Sequence, residues 1–274
     1  MRRLLYGLVI ALAIIPSAAD AQDFRIVTTI KNLAGERPQE AGVYLTLFRQ
    51  RKVYDYFDAM GEVIIYEPGA NQFTILNVRR SMATTVHFDQ IKKKLRDRKP
   101  QIERYVAELR RNNDPIADEV ASAFEFQLHP RFEAAFDRKA KQLVLSSPKC
   151  EYRVQCADHL SPEQTISQEQ TNQYLAYADW MARLNSVLHP GAMFPEPRID
   201  LNAKLRRYGQ LPIRVELNST LDGDLHLAAE HRISFELENS DRSRITEWEA
   251  ALTSPRITKT TFQRYQEMVL AANR

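Results

Sequence analysis

Leu225-His226-Leu227-Ala228-Ala229-Glu230-His231-Arg232-Ile233-Ser234-Phe235-Glu236-Leu237 alternates in steps of two. Leu225, Leu227, Ala229, His231, Ile233, Phe235 and Leu237 share one side, and the more polar His226, Glu230, Arg232, Ser234 and Glu236 share the other. Successive side chains of an extended chain point to opposite faces, so this stretch predicts a strand with one buried and one wet face. Just before it, Ile213, Val215 and Leu217 alternate with Arg214, Glu216 and Asn218, and Asp222-Gly223 supplies a tight turn between the two runs.

The same period governs the other end of the chain. Phe24 to Ile30 is a short strand candidate. Val43 to Phe48 and Val53 to Phe57 are dense in β-branched and aromatic residues, with Arg49-Gln50-Arg51-Lys52 between them as a hairpin loop. Glu62 to Tyr66 and Phe73 to Leu76 form a second hairpin around Pro68-Gly69-Ala70-Asn71, and Thr84 to Phe88 adds a further strand.

At Phe88 the period lengthens. Phe88, Leu95, Ile102 and Leu109 recur every seven residues, with Ile91 and Val106 on the same side, which is the stripe of an amphipathic helix. Pro100 interrupts it, so the pattern predicts a kinked helix or two helices ending near Asn112-Asn113-Asp114-Pro115. Phe124 to Leu128, Arg131 to Ala135, Lys141 to Ser146 and Glu151 to Ala157 read as short strands. Capping sequences at Ser161-Pro162-Glu163-Gln164 and Ser167-x-x-Gln170 open a helix with Tyr174, Tyr177, Ala178, Met181, Leu184 and Leu188 on one face. Met193 to Pro197 reads as a proline-rich crossing. Two helices close the chain, one capped by Ser240 with Ile245, Trp248 and Leu252 as its stripe, the other from about Thr260 with Phe262, Tyr265 and Val269 inward.

Strands at both ends, with helices between them and no regular βαβ alternation, predict an α+β protein: a curved antiparallel sheet, or incomplete β-barrel, with helices covering its concave face. No patternless stretch is long enough for an interdomain linker, so residues 22–274 are expected to form a single domain.

Residues 1–21 carry a different signal. A basic start at Arg2-Arg3, an apolar run from Leu4 to Ile15, and the small residues Ala19-x-Ala21 have the form of a cleavable secretory signal peptide, which places the mature chain in the periplasm or outside the cell. Losing that segment lowers the formal +3 charge by one. So small a net charge demands neither nucleic acid nor an anionic surface. After the signal no run is long and apolar enough to cross a membrane.

Chemistry is scarce. The two cysteines, Cys150 and Cys156, fall in one short segment. In an oxidising compartment they would pair, yet an extended strand separates their Cα atoms by roughly 20 Å, so a disulfide requires a bend and free buried thiols are the alternative. No Walker loop, G-x-S-x-G, G-x-G-x-x-G or H-E-x-x-H occurs, and no catalytic residue, metal site or cofactor is assigned. His231 lies on the apolar face of its strand, where a satisfied core residue is the ordinary role. Lys92-Lys93-Lys94, Arg96, Arg98 and Lys99, then Arg104, Arg110 and Arg111, make a basic outer helix face balanced by Asp97, Glu103 and Glu108.

The signal peptide, the hairpins Tyr44–Phe57 and Val63–Leu76, the helical insertion and the later strand around Leu211-Pro212-Ile213-Arg214-Val215 together resemble the LolA/LolB-like lipoprotein-carrier superfamily. The resemblance implies an incomplete barrel lidded by helices, with acyl chains held against the sheet. Val144-Leu145-Ser146-Ser147-Pro148, Tyr177-Ala178-Asp179-Trp180 with Arg183-Leu184-Asn185, and Glu230-His231-Arg232-Ile233-Ser234 more closely resemble a family of exported bacterial proteins that brings no activity with it. The resulting expectation is a binding or carrier protein for a lipid or an acylated protein, with Leu45, Leu47, Phe57, Ile64, Tyr66, Phe73 and Ile75 as the ligand-facing sheet residues. An envelope scaffold with a solid core, or a hydrolase with two converging ionisable groups, are the competing expectations.

Overall fold

A computed structural model describes residues 23–112, 114–157, 167–189, 191–221 and 223–272. Among these, twelve strands form one open sheet. In chain order they are β1 (Phe24–Asn32), β2 (Gln39–Arg49), β3 (Lys52–Phe57), β4 (Glu62–Glu67), β5 (Gln72–Asn77), β6 (Met82–His87), β7 (Glu133–Asp137), β8 (Gln142–Ser146), β9 (Cys150–Cys156), β10 (Pro212–Ser219), β11 (Leu225–Ser234) and β12 (Thr258–Thr260). The spatial order is β12-β6-β5-β4-β3-β2-β1-β11-β10-β9-β8-β7. Every pairing is antiparallel except β12 on β6. An early strand and a late one thus meet at the β1–β11 pair, and β11, with its neighbour β10, carries the clearest alternation in the sequence. Strand twist accumulates by roughly 20–25° per step, so a sheet of this width curls rather than lying flat.

Six helices accompany the sheet: α1 (Phe88–Arg111), α2 (Pro115–Leu128), α3 (Gln168–Leu188), α4 (Glu196–Tyr208), α5 (Asn239–Thr253) and α6 (Phe262–Ala272). The α+β architecture read from the sequence is the one found. Five of the helices send buried side chains into one large core, among them Phe88 and Ile91 of α1, Ala123 of α2, Tyr174 and Leu175 of α3, Leu201 and Leu205 of α4, and Phe262 and Tyr265 of α6. The exception is α5. Its Ile245 and Trp248 pack with Leu47, Tyr54, Val63, Ile65, Leu76 and Ala83 as a second core on the opposite face. The unbroken apolar run Val63-Ile64-Ile65-Tyr66 has this cause, because a strand covered on both faces has no wet side to mark.

Several local readings need correction. Phe124 to Leu128 is not a strand but the last turns of α2, which Asp114 caps by accepting from the Ile116 N–H, with Pro115 in the first turn. The residues expected only to end a helix also start the next one. α1 runs unbroken through Pro100. The proline-rich crossing gives way to α4, which begins at Glu196 and ends at Gly209 with a left-handed φ of 63°. Glu238, not Ser240, is the N-cap of α5, in a reciprocal capping box with Asp241. The Ser167–Gln170 box of α3 forms as read, and the Ser161 cap and the signal segment lie outside the described residues.

Cys150 and Cys156 are free thiols at opposite ends of β9, both buried on the same face. They bracket one continuous strand, whose length keeps the sulfurs apart. Burial pushes the Cys150 thiol up to about 11 and that of Cys156 up to about 12, so neither is a ready thiolate.

Candidate functional site

Register sorts the inner face of the sheet into three transverse rows. The lowest is Phe24, Phe48, Val53, Tyr66, Phe73 and Val86, each paired with the next across adjacent strands. All six are at most 5% exposed. Phe24 stacks on Phe48 at 3.9 Å, and Phe48 meets the edge of Tyr177 at 5.8 Å. This row is solid core.

One step along the strands the character changes. The middle row is Ile26, Thr46, Asp55, Ile64 and Ile75, and the upper row is His231, Thr28, Tyr44, Phe57, Glu62 and Asn77. Thr46 and Asp55 are small and polar where the lower row has Phe48 and Val53. Opposite them α3 presents Ala178 and Ala182, with Met181 between. Short side chains on both sides leave a cavity of about 890 Å³ between the sheet and α3, α4 and α6. That falls within the usual range for small-molecule sites, ~300–1,000 Å³. Phe57, Ile64, Ile30, Met181, Ala182 and Val269 give it mostly apolar walls.

Polar groups enter the cavity at separate places. Asp55 accepts a hydrogen bond from the Thr46 hydroxyl at 2.7 Å and another from Tyr177. Burial outweighs both bonds and lifts its carboxyl to about 6, with nearby Glu62 adding a smaller push. Burial and the Asp55 charge together raise the Tyr177 phenol well above its ordinary value. At the β11 end, His231 shares a bond between Nδ1 and the Thr28 hydroxyl at 2.8 Å, and its Nε2 faces the Tyr174 hydroxyl at 3.4 Å. Burial, aided by the positive charge of Arg198, depresses the imidazole to about 3, so it is neutral at physiological pH. Arg198 itself donates to the Tyr174 hydroxyl. At the α6 end the Tyr265 hydroxyl donates to Glu62, while Arg79 holds the carbonyls of Ala59 and Asp58 at 2.7 and 2.8 Å.

The expected ligand-facing residues are distributed unevenly. Phe57 and Ile64 line the cavity. Tyr66, Phe73 and Ile75 share its face but are packed into the core beside it. Leu45 and Leu47 point the other way, into the core beneath α5, because Tyr44, Thr46 and Phe48 take the inner positions of β2. Sequence reasoning missed Thr28, Thr46, Asp55 and Arg198. The available signal was a polar residue at an inward position of an otherwise apolar strand, as Asp55 is within Val53-Tyr54-Asp55-Tyr56-Phe57.

The basic face of α1 is largely engaged. Lys93 pairs with Asp97 at 2.6 Å, Arg110 with Asp118 and Glu125, and the Arg98 guanidinium lies over the Phe194 ring at 4.6 Å. Among the described residues no cluster of side chains is suited to hold a metal, and no helix is long and apolar enough to cross a membrane. No known protein-family model and no curated protein sequence matches the chain.

Chemically, the arrangement suits binding better than acid–base work. Asp55 and His231 are the cavity carboxyl and imidazole with strongly shifted protonation, yet each is bonded to hydroxyls rather than to the other. Among the described residues His231 bonds to the Thr28 and Tyr174 hydroxyls and to no carboxylate that would orient it as a general base.

Proposed function

We propose that the protein is an exported binding or carrier protein whose cavity holds an apolar or lipidated ligand. The observation that carries this reading is the open volume of about 890 Å³ where the sheet and α3 would otherwise close on each other. A scaffold with a solid core has no use for such volume, since empty apolar space forfeits contacts and lowers stability. The signal-like N-terminus supports export, and the predominance of apolar wall supports a ligand with a hydrocarbon part.

Ala182, on α3, faces the cavity and is only part-buried. Ala182→Phe should fill part of the space at little cost to the fold. Titration with a fluorescent apolar probe such as N-phenyl-1-naphthylamine is expected to show affinity reduced by about tenfold or more, with the thermal midpoint unchanged or raised. Equal probe affinity in the two proteins would remove the cavity from the account.

A further inference from the structure

Among the described arginines that line the cavity Arg198 is half-buried while Arg79 and Arg80 are exposed, and its setting differs from that of its neighbours. On the same helix, Lys204 lies 3.9 Å from Asp200 and Arg206 lies 3.0 Å from Asp179. Arg198 has no carboxylate within salt-bridge distance among the described residues, and its hydrogen-bond partner is the neutral Tyr174 hydroxyl. A half-buried guanidinium beside apolar walls loses hydration, and an anion restores what is lost.

We propose that the Arg198 end of the cavity seats the anionic head group of a single-chain amphiphile, a carboxylate or a phosphate monoester, with its hydrocarbon tail lying along the row that leads to Phe57 and Val269. This rests on the carrier reading above and names the class of ligand. The planar guanidinium offers paired donors that match either oxyanion. The Tyr174 hydroxyl beside it faces His231 Nε2, and Thr28 holds the imidazole from its Nδ1 side. His231 is neutral there, so this end carries a single positive charge, suited to one anionic group rather than a polyanion.

Glu62 lies at the α6 side, away from Arg198, and repels an anion there. Asp55 lies between the two ends, close enough to raise the phenols of both Tyr174 and Tyr177. Arg79 and Arg80 lie at the rim, exposed and hydrated, and Arg79 is engaged with two backbone carbonyls. The upper row crosses β11, β1, β2, β3, β4 and β5, five steps between neighbouring strands, or roughly 24 Å along the sheet. A head group at Arg198 therefore leaves that length for an extended acyl chain, along the Tyr44 and Phe57 rings of the row and the Ile64, Met181 and Val269 side chains of the walls.

Competition against a bound fluorescent probe tests this with three ligands: palmitate, hexadecyl phosphate and methyl palmitate. The wild-type protein is expected to bind at least one anion about tenfold more tightly than the ester, and the tighter anion identifies the head group. Arg198→Gln should bind all three alike, with ester affinity unchanged, while Arg198→Lys keeps part of the preference and Arg80→Gln keeps all of it. If the ester displaces the probe as well as both anions do, the head-group seat is wrong and the cavity reading stands. Preference surviving in Arg198→Gln would overturn the seat equally. If the probe binds nowhere in the cavity, or none of the three ligands displaces it, the carrier reading fails and the seat falls with it. Should Arg198→Gln not fold, the wild-type comparison of anion with ester still decides.

Discussion

Phe48→Ala is expected to lower stability by about 3–5 kcal/mol. Phe48 is 1% exposed, stacked on Phe24 and set edge-on to Tyr177, so it joins β1 and β2 to α3 at the closed end of the cavity. Removing the ring deletes its transfer energy and both aromatic contacts, and the backbone of two paired strands cannot collapse into the gap. Urea unfolding should show a midpoint moved well to lower denaturant with a similar slope. A loss below about 1 kcal/mol would mean that the lower row is not the packed floor described here.

Asp55→Asn should act in the opposite direction, and only at the alkaline side. In the unfolded chain Asp55 titrates at the ordinary carboxyl value of 3.8, and in the fold at about 6, because burial disfavours the charge. The folded state thus holds this proton more tightly than the unfolded state. Stability from this group is present below the unfolded value and is lost as pH rises to the folded one. A shift of about two units corresponds to about 3 kcal/mol. Asparagine carries no such charge and still accepts from Thr46. The variant should match the wild type near pH 4 and exceed it by up to about 3 kcal/mol at pH 8, with the difference opening between those limits. Chemical denaturation of both proteins across that range checks it, and a pH-independent difference would place Asp55 in contact with water rather than buried behind Tyr177.

That a buried carboxyl is retained at such a cost fits a site more than a scaffold, since polar groups left in a cavity lower stability where they serve binding. Asp55 also shows why the site was only partly legible in the sequence. Period-two patterning identifies strands. It gives no sign of which face is inner when both faces are covered. Leu45 and Leu47 looked as suited to a ligand as any residue, but they serve the core under α5. Tyr66, Phe73 and Ile75 are on the inner face, and whether an inner residue meets a cavity or a neighbour depends on what lies opposite.

The helical part was legible where a stripe was long, as in α1, α3 and α6. Tyr174, Tyr177, Ala178 and Met181 were recognised as one face of α3, though not that Ala178 with Ala182 leaves space. Elsewhere a local signal had two meanings. Phe124, Phe126 and Leu128 alternate like a strand, yet the Asp114 cap and Pro115 commit the chain to a helix twelve or so residues earlier. α4 carries prolines at its start and no wide apolar stripe, so Arg198 had no recognisable element on which to be placed. Long-range pairing also lies beyond local patterning: Thr28, Tyr174, Arg198 and His231 come together only through the β1–β11 ladder and the packing of α3 and α4 across it.

Native mass spectrometry of the protein purified from its own compartment tests the central claim most directly. One amphiphile is expected bound per chain, released intact on activation, and absent or much reduced in Ala182→Phe prepared in the same way. A wild-type protein that emerges from its own compartment at its bare polypeptide mass, under conditions that preserve known lipid complexes, would contradict it.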